Sequence, residues 1–263
     1  MRNKQIQLKR LKYHEDQMSP SIDFASVSQP KQRYCIASSP RSGSTLISKM
    51  LLTTHLAGDP KEYLNPLLMH AWHRISHQPI LLNEYIKQIE SRRTTENGAF
   101  GIKIHWRHLE NLSKTIDSRK INSLINNFDK FIFVRRRDKL AQAISYYKAV
   151  TTGVFHSDQE GWLNEYDIPD PPFNGPQILK HLTDITREDA SWENYFKYSN
   201  KPVYEIYHED LIECYQMKAK EILNFLEIYP EEIPAIPTKK MNKKLSKNYK
   251  EQLLKTIGLN IAL

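Results

Sequence analysis

Cysteines, long apolar runs and an apolar leader are scarce or missing in this sequence, and each absence excludes a class of protein. Only Cys35 and Cys214 occur among the 263 residues, too few for a disulfide framework. No apolar run reaches the roughly 18–20 residues of a membrane-spanning helix. Residues 1–17 carry charges throughout and lack the apolar core of a signal peptide. We therefore expect a cytoplasmic protein without a membrane span.

Acidic residues are absent from two terminal segments, and this locates the positive charge of the chain. The net charge is +8, yet residues 1–12 hold five basic residues and residues 239–250 hold six lysines. The rest of the chain therefore carries a net charge of −3. Because a nucleic-acid-binding face needs Lys and Arg spread over the fold itself, we expect no nucleic-acid partner.

The order of apolar segments predicts the architecture. Residues 1–32 are polar and predict a flexible leader, followed by a single domain over 33–263. Strands are predicted at 33–38, 100–104, 130–134 and 203–207. Helices are predicted directly after residue 45 and near 80–91, 118–127, 138–151, 187–199, 210–227 and 242–257. This alternation predicts a three-layer α/β/α fold with a central parallel sheet. Four prolines in 157–179 predict a loop there, which is a candidate substrate lid.

A serine-rich loop between the first strand and the first predicted helix is the leading candidate for an anion site. Unpaired N–H groups at a helix start attract phosphate, and glycine lets the backbone approach it closely. A Walker A loop needs a Gly-Lys pair, which is absent here. The alternative is a serine-rich turn that only caps the helix. The candidate binding residues are Pro40, Arg41, Ser42, Gly43, Ser44 and Thr45.

Three arginines follow the most apolar predicted strand and indicate a second anion site. Arg136 is predicted to lie at the carboxyl edge of the sheet, where ligands of open α/β folds bind. Ser145, two helical turns further on, is predicted to add a hydroxyl group to the same anion. The alternative is a solvated turn whose arginines pair with neighbouring acidic residues.

Metal binding is not expected. The histidines at 70, 73 and 77 have helical spacing, but the sequence has no His-Glu-x-x-His motif and no pattern of supporting acidic residues.

Four motifs occur in order between residues 34 and 155. They are Ala37-Ser38-Ser39-Pro40-Arg41-Ser42-Gly43-Ser44-Thr45-Leu46, Gly58-Asp59-Pro60-Lys61-Glu62-Tyr63, Gly101-Ile102-Lys103-Ile104-His105-Trp106, and Arg136-Arg137-Asp138 with Gln142-Ala143-Ile144-Ser145. Together they resemble the PAPS-dependent sulfotransferases (PAPS is 3′-phosphoadenosine-5′-phosphosulfate), in the bacterial branch typified by trehalose 2-sulfotransferase.

This resemblance implies a P-loop NTPase-like sulfotransferase fold and sulfuryl transfer from PAPS to a carbohydrate or glycolipid hydroxyl, with PAP as product. It implies that residues 41–45 bind the 5′-phosphosulfate, that Arg136 and Ser145 bind the 3′-phosphate, and that Glu62 is the general base. It also suggests a homodimer. Pro40 and Phe155 depart from the branch pattern, which leaves the acceptor open.

Three residues of the third motif have competing interpretations. Lys103 is a candidate catalytic residue that reaches the sulfuryl group or the acceptor, or else a surface lysine. His105 and Trp106 are candidate sugar-binding residues, although such a tryptophan more often belongs to the core. The lysines of 239–250 either neutralise the nucleotide or form a solvated helix face. Two alternative functions also stay open: a nucleotide-dependent kinase on the same fold, and a non-catalytic nucleotide- or polyanion-binding module.

Overall fold

Four parallel strands form one sheet in the computed structural model, which describes residues 2–24, 29–155, 169–237 and 244–256. The order of strands in the sheet is β2-β1-β3-β4. All four predicted strands are confirmed, with ends shifted by no more than one residue. Their bounds are β1 (Gln32–Ser38), β2 (Ala99–His105), β3 (Lys130–Arg135) and β4 (Val203–Tyr207).

Helices occupy most of the remaining described chain. The first seven are α1 (Arg2–Met18), α2 (Ser44–Thr53), α3 (Pro66–Ser76), α4 (Leu82–Arg93), α5 (Trp106–Leu112), α6 (Ser118–Asn126) and α7 (Lys139–Thr152). The others are α8 (Gly175–Ser199), α9 (His208–Glu213), α10 (Tyr215–Phe225) and α11 (Lys244–Thr256). In the described part of the chain, no helix is both long and apolar enough to cross a membrane.

Alternating side chains of the strands fill two separate cores. Phe131 and Phe133 of β3 pack on one side of the sheet, where α3–α6 and α8 cover it. Ile132 and Val134 pack on the other side, against α2, α9 and α10. Burial on both faces explains why β3 is a continuous apolar run. The predicted three-layer α/β/α fold with a parallel sheet is therefore confirmed.

Three predictions about local structure are wrong. The leader predicted at 1–32 is helical over Arg2–Met18. The loop predicted at 157–179 ends earlier, because the side chain of Asn174 caps α8 and Pro176 suits its first turn. The rest of that lid prediction lies largely outside the described residues. The single helix predicted at 210–227 is two helices that meet at Cys214, whose backbone is not helical.

The carboxyl ends of the strands gather the chemically active residues at one edge of the sheet. Ser38 at the end of β1 lies beside His105 at the end of β2, and Arg135 at the end of β3 lies beside Tyr207 at the end of β4. The loop after each strand therefore opens at this edge, where ligands of parallel α/β folds bind.

Candidate active site

The loop from Ser39 to Gly43 joins β1 to α2, and two of its residues have left-handed backbone conformations. Arg41 has φ +63° and Gly43 has φ +96°. Gln142 of α7 is fully buried and donates from Nε2 to Ser39 Oγ (2.9 Å) and to the Pro40 carbonyl (2.7 Å). Helix α2 begins at Ser44, and the Leu46 N–H donates to the Gly43 carbonyl at 2.9 Å, which leaves the N–H groups before it without an acceptor inside the helix. Such a helix start attracts anions.

One hydroxyl group of this loop is buried without a partner. Ser42 is fully buried, and its Oγ has no hydrogen-bond partner. Leaving a buried polar atom unpaired costs roughly 1–3 kcal/mol. A ligand with acceptor oxygens at the loop would remove that cost, so the loop fits a phosphate or sulfate group.

Arg41 crosses from the loop to α7. Its Nε donates to Ser145 Oγ at 3.0 Å, and its Nη1 donates to the Phe155 carbonyl. Burial and, next, the nearby charge of Arg136 lower the pKa of Arg41 to about 10. Arg41 and Arg136 therefore carry like charges near one another, and Arg41 also contacts Ser145. The structure brings together Arg41, Arg136 and Ser145, three residues that the sequence analysis named.

The three consecutive arginines differ sharply in their partners. Arg135 pairs with Glu193 (2.5 Å) and Glu205 (2.8 Å), and Arg137 forms a two-point pair with Asp210 (2.5 and 2.8 Å). Arg136 has no ion pair among the described residues, and its buried Nε has no hydrogen-bond partner. Burial lowers the pKa of Arg136, while Glu209 and Asp138 act on it only from a distance. The alternative of a salt-bridged turn thus describes Arg135 and Arg137 but not Arg136.

Glu62 lies at the centre of a buried polar cluster between the end of β2 and α3. Its Oε1 is 3.1 Å from Lys103 Nζ and 3.2 Å from His105 Nε2, and its Oε2 accepts from Asn65 Nδ2 at 3.0 Å. Burial opposes ionisation, but Lys103 and then His105 outweigh it and hold the pKa of Glu62 well below its usual range. The carboxylate is therefore ionised in the free protein.

Lys103 contacts both this cluster and the first turn of α2, directly after the loop from Ser39 to Gly43. The side chain is buried, with 4% of its surface exposed, so the alternative of a surface lysine is wrong. Its Nζ donates to Thr45 Oγ1 at 3.1 Å while it pairs with Glu62. One ammonium group thus contacts both the first turn of α2 and the candidate base.

Two histidines, His105 at the end of β2 and His108 in α5, lie beside Glu62. His105 also contacts Ser38 through Nδ1, 3.0 Å from its hydroxyl group and 3.2 Å from its carbonyl oxygen. His108 Nδ1 accepts from the His105 backbone N–H, and its Nε2 faces Glu62 at 3.8 Å. Burial and, next, the charge of His105 lower the pKa of His108 to about 3, so this ring is neutral. His108 gave no signal in the sequence.

Other predicted residues lie further from this centre. Trp106 packs edge-on against Trp192 in the core at 5.0 Å between ring centroids, as its packing interpretation predicts. From the basic segment 239–250, Lys250 lies 3.4 Å from Asp138, two residues after Arg136. No cluster of metal-ligating side chains occurs within the described ranges.

His208 was missed by the sequence analysis, although it directly follows β4 at the ligand-binding edge. Its ring lies against Gly43, so that a Cβ atom on this glycine would be only 2.4 Å from His208 Nδ1. The position of a histidine after a parallel strand was the available signal.

Comparisons with known proteins agree with this geometry. The family model of the Stf0 sulphotransferases matches residues 33–254. The chain is 24% identical over 206 residues to the trehalose 2-sulfotransferase of Mycolicibacterium smegmatis, with 64% of this chain and 73% of that protein covered. It is also 24% identical over 203 residues to the trehalose 2-sulfotransferase of Mycobacterium tuberculosis, with 65% and 74% covered.

Proposed function

The chain belongs to the Stf0 sulphotransferase family, and from that premise we propose that it transfers the sulfuryl group of PAPS to a hydroxyl group of a carbohydrate or glycolipid. One observation carries this proposal: an unpaired, partly buried Arg136 stands beside Arg41 and Ser145, next to a helix start with a buried, unpaired hydroxyl group. PAPS has two phosphate-bearing arms. A pair of neighbouring anion sites fits these two arms better than it fits a ligand with a single phosphate group.

The donor would be held by residues of the loop after β1 and by residues at the end of β3 and on α7. Ser42, the start of α2 and Arg41 would bind the 5′-phosphosulfate, since all three belong to the loop. Arg136 and Ser145 would bind the 3′-phosphate. Lys250 pairs with Asp138, two residues after Arg136, and would add positive charge near the 3′-phosphate.

Glu62 is the proposed general base. As the acceptor oxygen bonds to sulfur, the bond from sulfur to the 5′-phosphate oxygen breaks, and the hydroxyl proton passes to Glu62. The electron pair of the broken bond stays on the leaving phosphate, where Arg41 and the loop N–H groups stabilise its charge. Like phosphoryl transfer, the reaction needs alignment and charge stabilisation more than covalent help from the protein.

The acceptor is proposed only as a class. Both named relatives are trehalose 2-sulfotransferases at 24% identity, which supports a sugar hydroxyl as the acceptor. A homodimer stays a prediction.

The proposal is tested with Glu62→Gln, which keeps the size of the side chain and removes the base. We expect the variant to bind PAP as tightly as the wild type and to lose turnover by roughly 10²- to 10⁴-fold in transfer of labelled sulfate from PAPS to a sugar panel. Glu84→Gln is the matched control, because Glu84 is exposed and pairs with Lys87 on the same helix.

The possible outcomes separate the alternatives. Normal turnover in Glu62→Gln removes this residue from the mechanism. Binding of ATP with Mg²⁺ but not of PAP would favour the kinase. PAP binding without transfer to any acceptor would favour the non-catalytic module.

A further inference from the structure

Helix α1 lies before the segment that the family model matches, yet it is part of the folded unit. The family match begins at residue 33, whereas α1 spans Arg2–Met18 and packs along α3. Met18 at the end of α1 is buried in the core, and Glu15 pairs with Arg74 of α3 at 2.8 Å. These contacts fix the end of α1 on the fold, independently of the residues in the middle of the helix.

Arg10, in the middle of α1, contacts the end of α7. Its Nη2 donates to the carbonyl of Thr152, the last residue of α7, at 2.7 Å. The last carbonyls of a helix have no partner inside the helix and carry partial negative charge, so a guanidinium group is favourable there. The same group lies against Gly153, where a Cβ atom would collide with Nη2. Arg10 therefore caps α7 from another helix, and glycine at position 153 leaves room for it.

The segment that follows Thr152 provides a partner for Arg41. Val154 is buried and its N–H donates to Thr152 Oγ1 at 3.3 Å, so the chain turns directly after the helix. The carbonyl of the next residue, Phe155, accepts from Arg41 Nη1. Arg41 Nε donates to Ser145 Oγ at 3.0 Å. The Arg41 guanidinium group thus contacts α7 itself and also the segment beyond the end of α7.

These two contacts of Arg41 depend on different parts of the fold. Ser145 lies within α7, so the backbone hydrogen bonds of the helix fix its position. Residues 153–155 lie outside any helix or strand, so their position depends on contacts with other segments. Arg10 makes such a contact directly before the carbonyl that Arg41 binds. The orientation of the Arg41 guanidinium group therefore depends in part on α1.

We infer that Arg10 is a positioning residue of the donor site and that it acts on donor binding through Arg41. This inference rests on the proposed function, in which Arg41 binds the 5′-phosphosulfate. A long side chain that is already ordered in the free protein loses less conformational freedom when a ligand binds, so the ligand binds more tightly. Helix α1 would thereby strengthen donor binding, although it lies before the matched family segment.

The test compares Arg10→Ala with Arg74→Ala. Each variant removes one guanidinium contact between α1 and a neighbouring helix, but of the two it is Arg10 that contacts α7. Calorimetric titration with PAP gives the Kd. We expect Arg10→Ala to raise the Kd for PAP about 2- to 10-fold, the effect of ordering one long side chain on binding. Arg74→Ala should leave this Kd unchanged.

Rescue and a double variant separate positioning from a general loss of stability. Arg10→Lys keeps a cation that can donate to the Thr152 carbonyl, so its Kd should lie closer to that of the wild type than to that of Arg10→Ala. In an Arg41→Ala background, Arg10→Ala should not change the Kd further, because the residue that it positions is gone. An equal increase in both backgrounds overturns the inference. An unchanged Kd in Arg10→Ala, when the wild type binds PAP, also overturns it and leaves the proposed function intact.

A measurement without nucleotide distinguishes failure of this inference from failure of the proposed function. We expect Arg10→Ala to speed backbone hydrogen exchange over residues 150–155 in the free protein, since α7 loses its cap. Exchange at the wild-type rate over these residues overturns the inference, whether or not PAP binds. A wild-type chain that does not bind PAP overturns the proposed function and the donor role of Arg10 with it, and faster exchange in Arg10→Ala would then support only the contact between α1 and α7.

Discussion

Replacement of Arg136 by alanine tests the donor site most directly, because its two neighbours provide matched controls. Arg135, Arg136 and Arg137 are consecutive, but only the middle side chain lacks an ion pair among the described residues. If PAP affinity depended only on the total positive charge, alanine at any of the three positions would weaken PAP binding equally. A specific phosphate contact would appear only in Arg136→Ala.

The expected size of the effect follows from the contact that is removed. A hydrogen bond between charged groups contributes about 1.5–3 kcal/mol. Since about 1.4 kcal/mol corresponds to a factor of ten, Arg136→Ala should raise the Kd for PAP by about 10- to 150-fold. Arg137→Ala should leave the Kd near that of the wild type, because its exposed guanidinium group is already engaged with Asp210.

Stability is expected to change differently from PAP affinity in the alanine variants of these arginines. Arg136→Ala removes a partly buried charge without a partner, so the free energy of unfolding should stay the same or rise. Arg135→Ala leaves Glu193 and Glu205 without their cation, so its Tm should fall. Calorimetric titration with PAP in the absence of Mg²⁺, together with thermal unfolding, measures both quantities. Equal losses of PAP affinity in Arg136→Ala and Arg137→Ala would refute the reasoning, since only bulk charge would then matter.

Two further substitutions test the loop and the lysine. Gly43→Ala should lower stability by about 1–3 kcal/mol and weaken PAP binding, because φ is +96° and the new Cβ would meet His208; an unchanged Tm in thermal unfolding would contradict this. Lys103→Met should move the acidic limb of the kcat/KM profile to higher pH, because loss of the cation 3.1 Å away raises the pKa of Glu62. A limb that stays in place would exclude Lys103 from control of the base.

The sheet could be predicted from the sequence because its signals are local. A parallel strand covered on both faces is a continuous apolar run, and β3 shows this in Phe131-Ile-Phe-Val134. The loop from Ser39 to Gly43 was also predictable as a structure, since a strand, a serine- and glycine-containing turn and a helix follow one another directly. Both features can be recognised from a short stretch of consecutive residues.

The missed helices have weak or misleading local signals. Helix α1 has a polar inner face with Arg10 and His14, so its period did not stand out from a charged leader. Helix α3 is marked in the sequence only by Asn65 at its cap and Pro66 in its first turn, a signal confined to two residues. Helix α5 is too short to show a period.

The pairing of side chains in the site could not be predicted, because the partners are far apart in the chain. Arg137 and Asp210 are separated by 73 positions, and Lys103 and Thr45 by 58. The sequence alone therefore could not show which of three arginines lacks a partner, nor that Lys103 is buried. It singled out Arg136 for a positional reason: this residue follows the strand end where ligands of such sheets bind.

The position of Lys103 resolves an apparent conflict in the proposed mechanism. A general base works best when its pKa lies near the working pH, yet the pKa of Glu62 in the free protein is well below the usual range. Lys103 is a main cause of that low pKa, and the same ammonium group contacts Thr45 in the first turn of α2. If a donor sulfuryl group at the loop attracts this ammonium group, part of its charge is withdrawn from the carboxylate, and the pKa of Glu62 rises. Binding of the donor would thereby strengthen the base only when there is a sulfuryl group to transfer, and Glu62 would stay a weak base in the free protein.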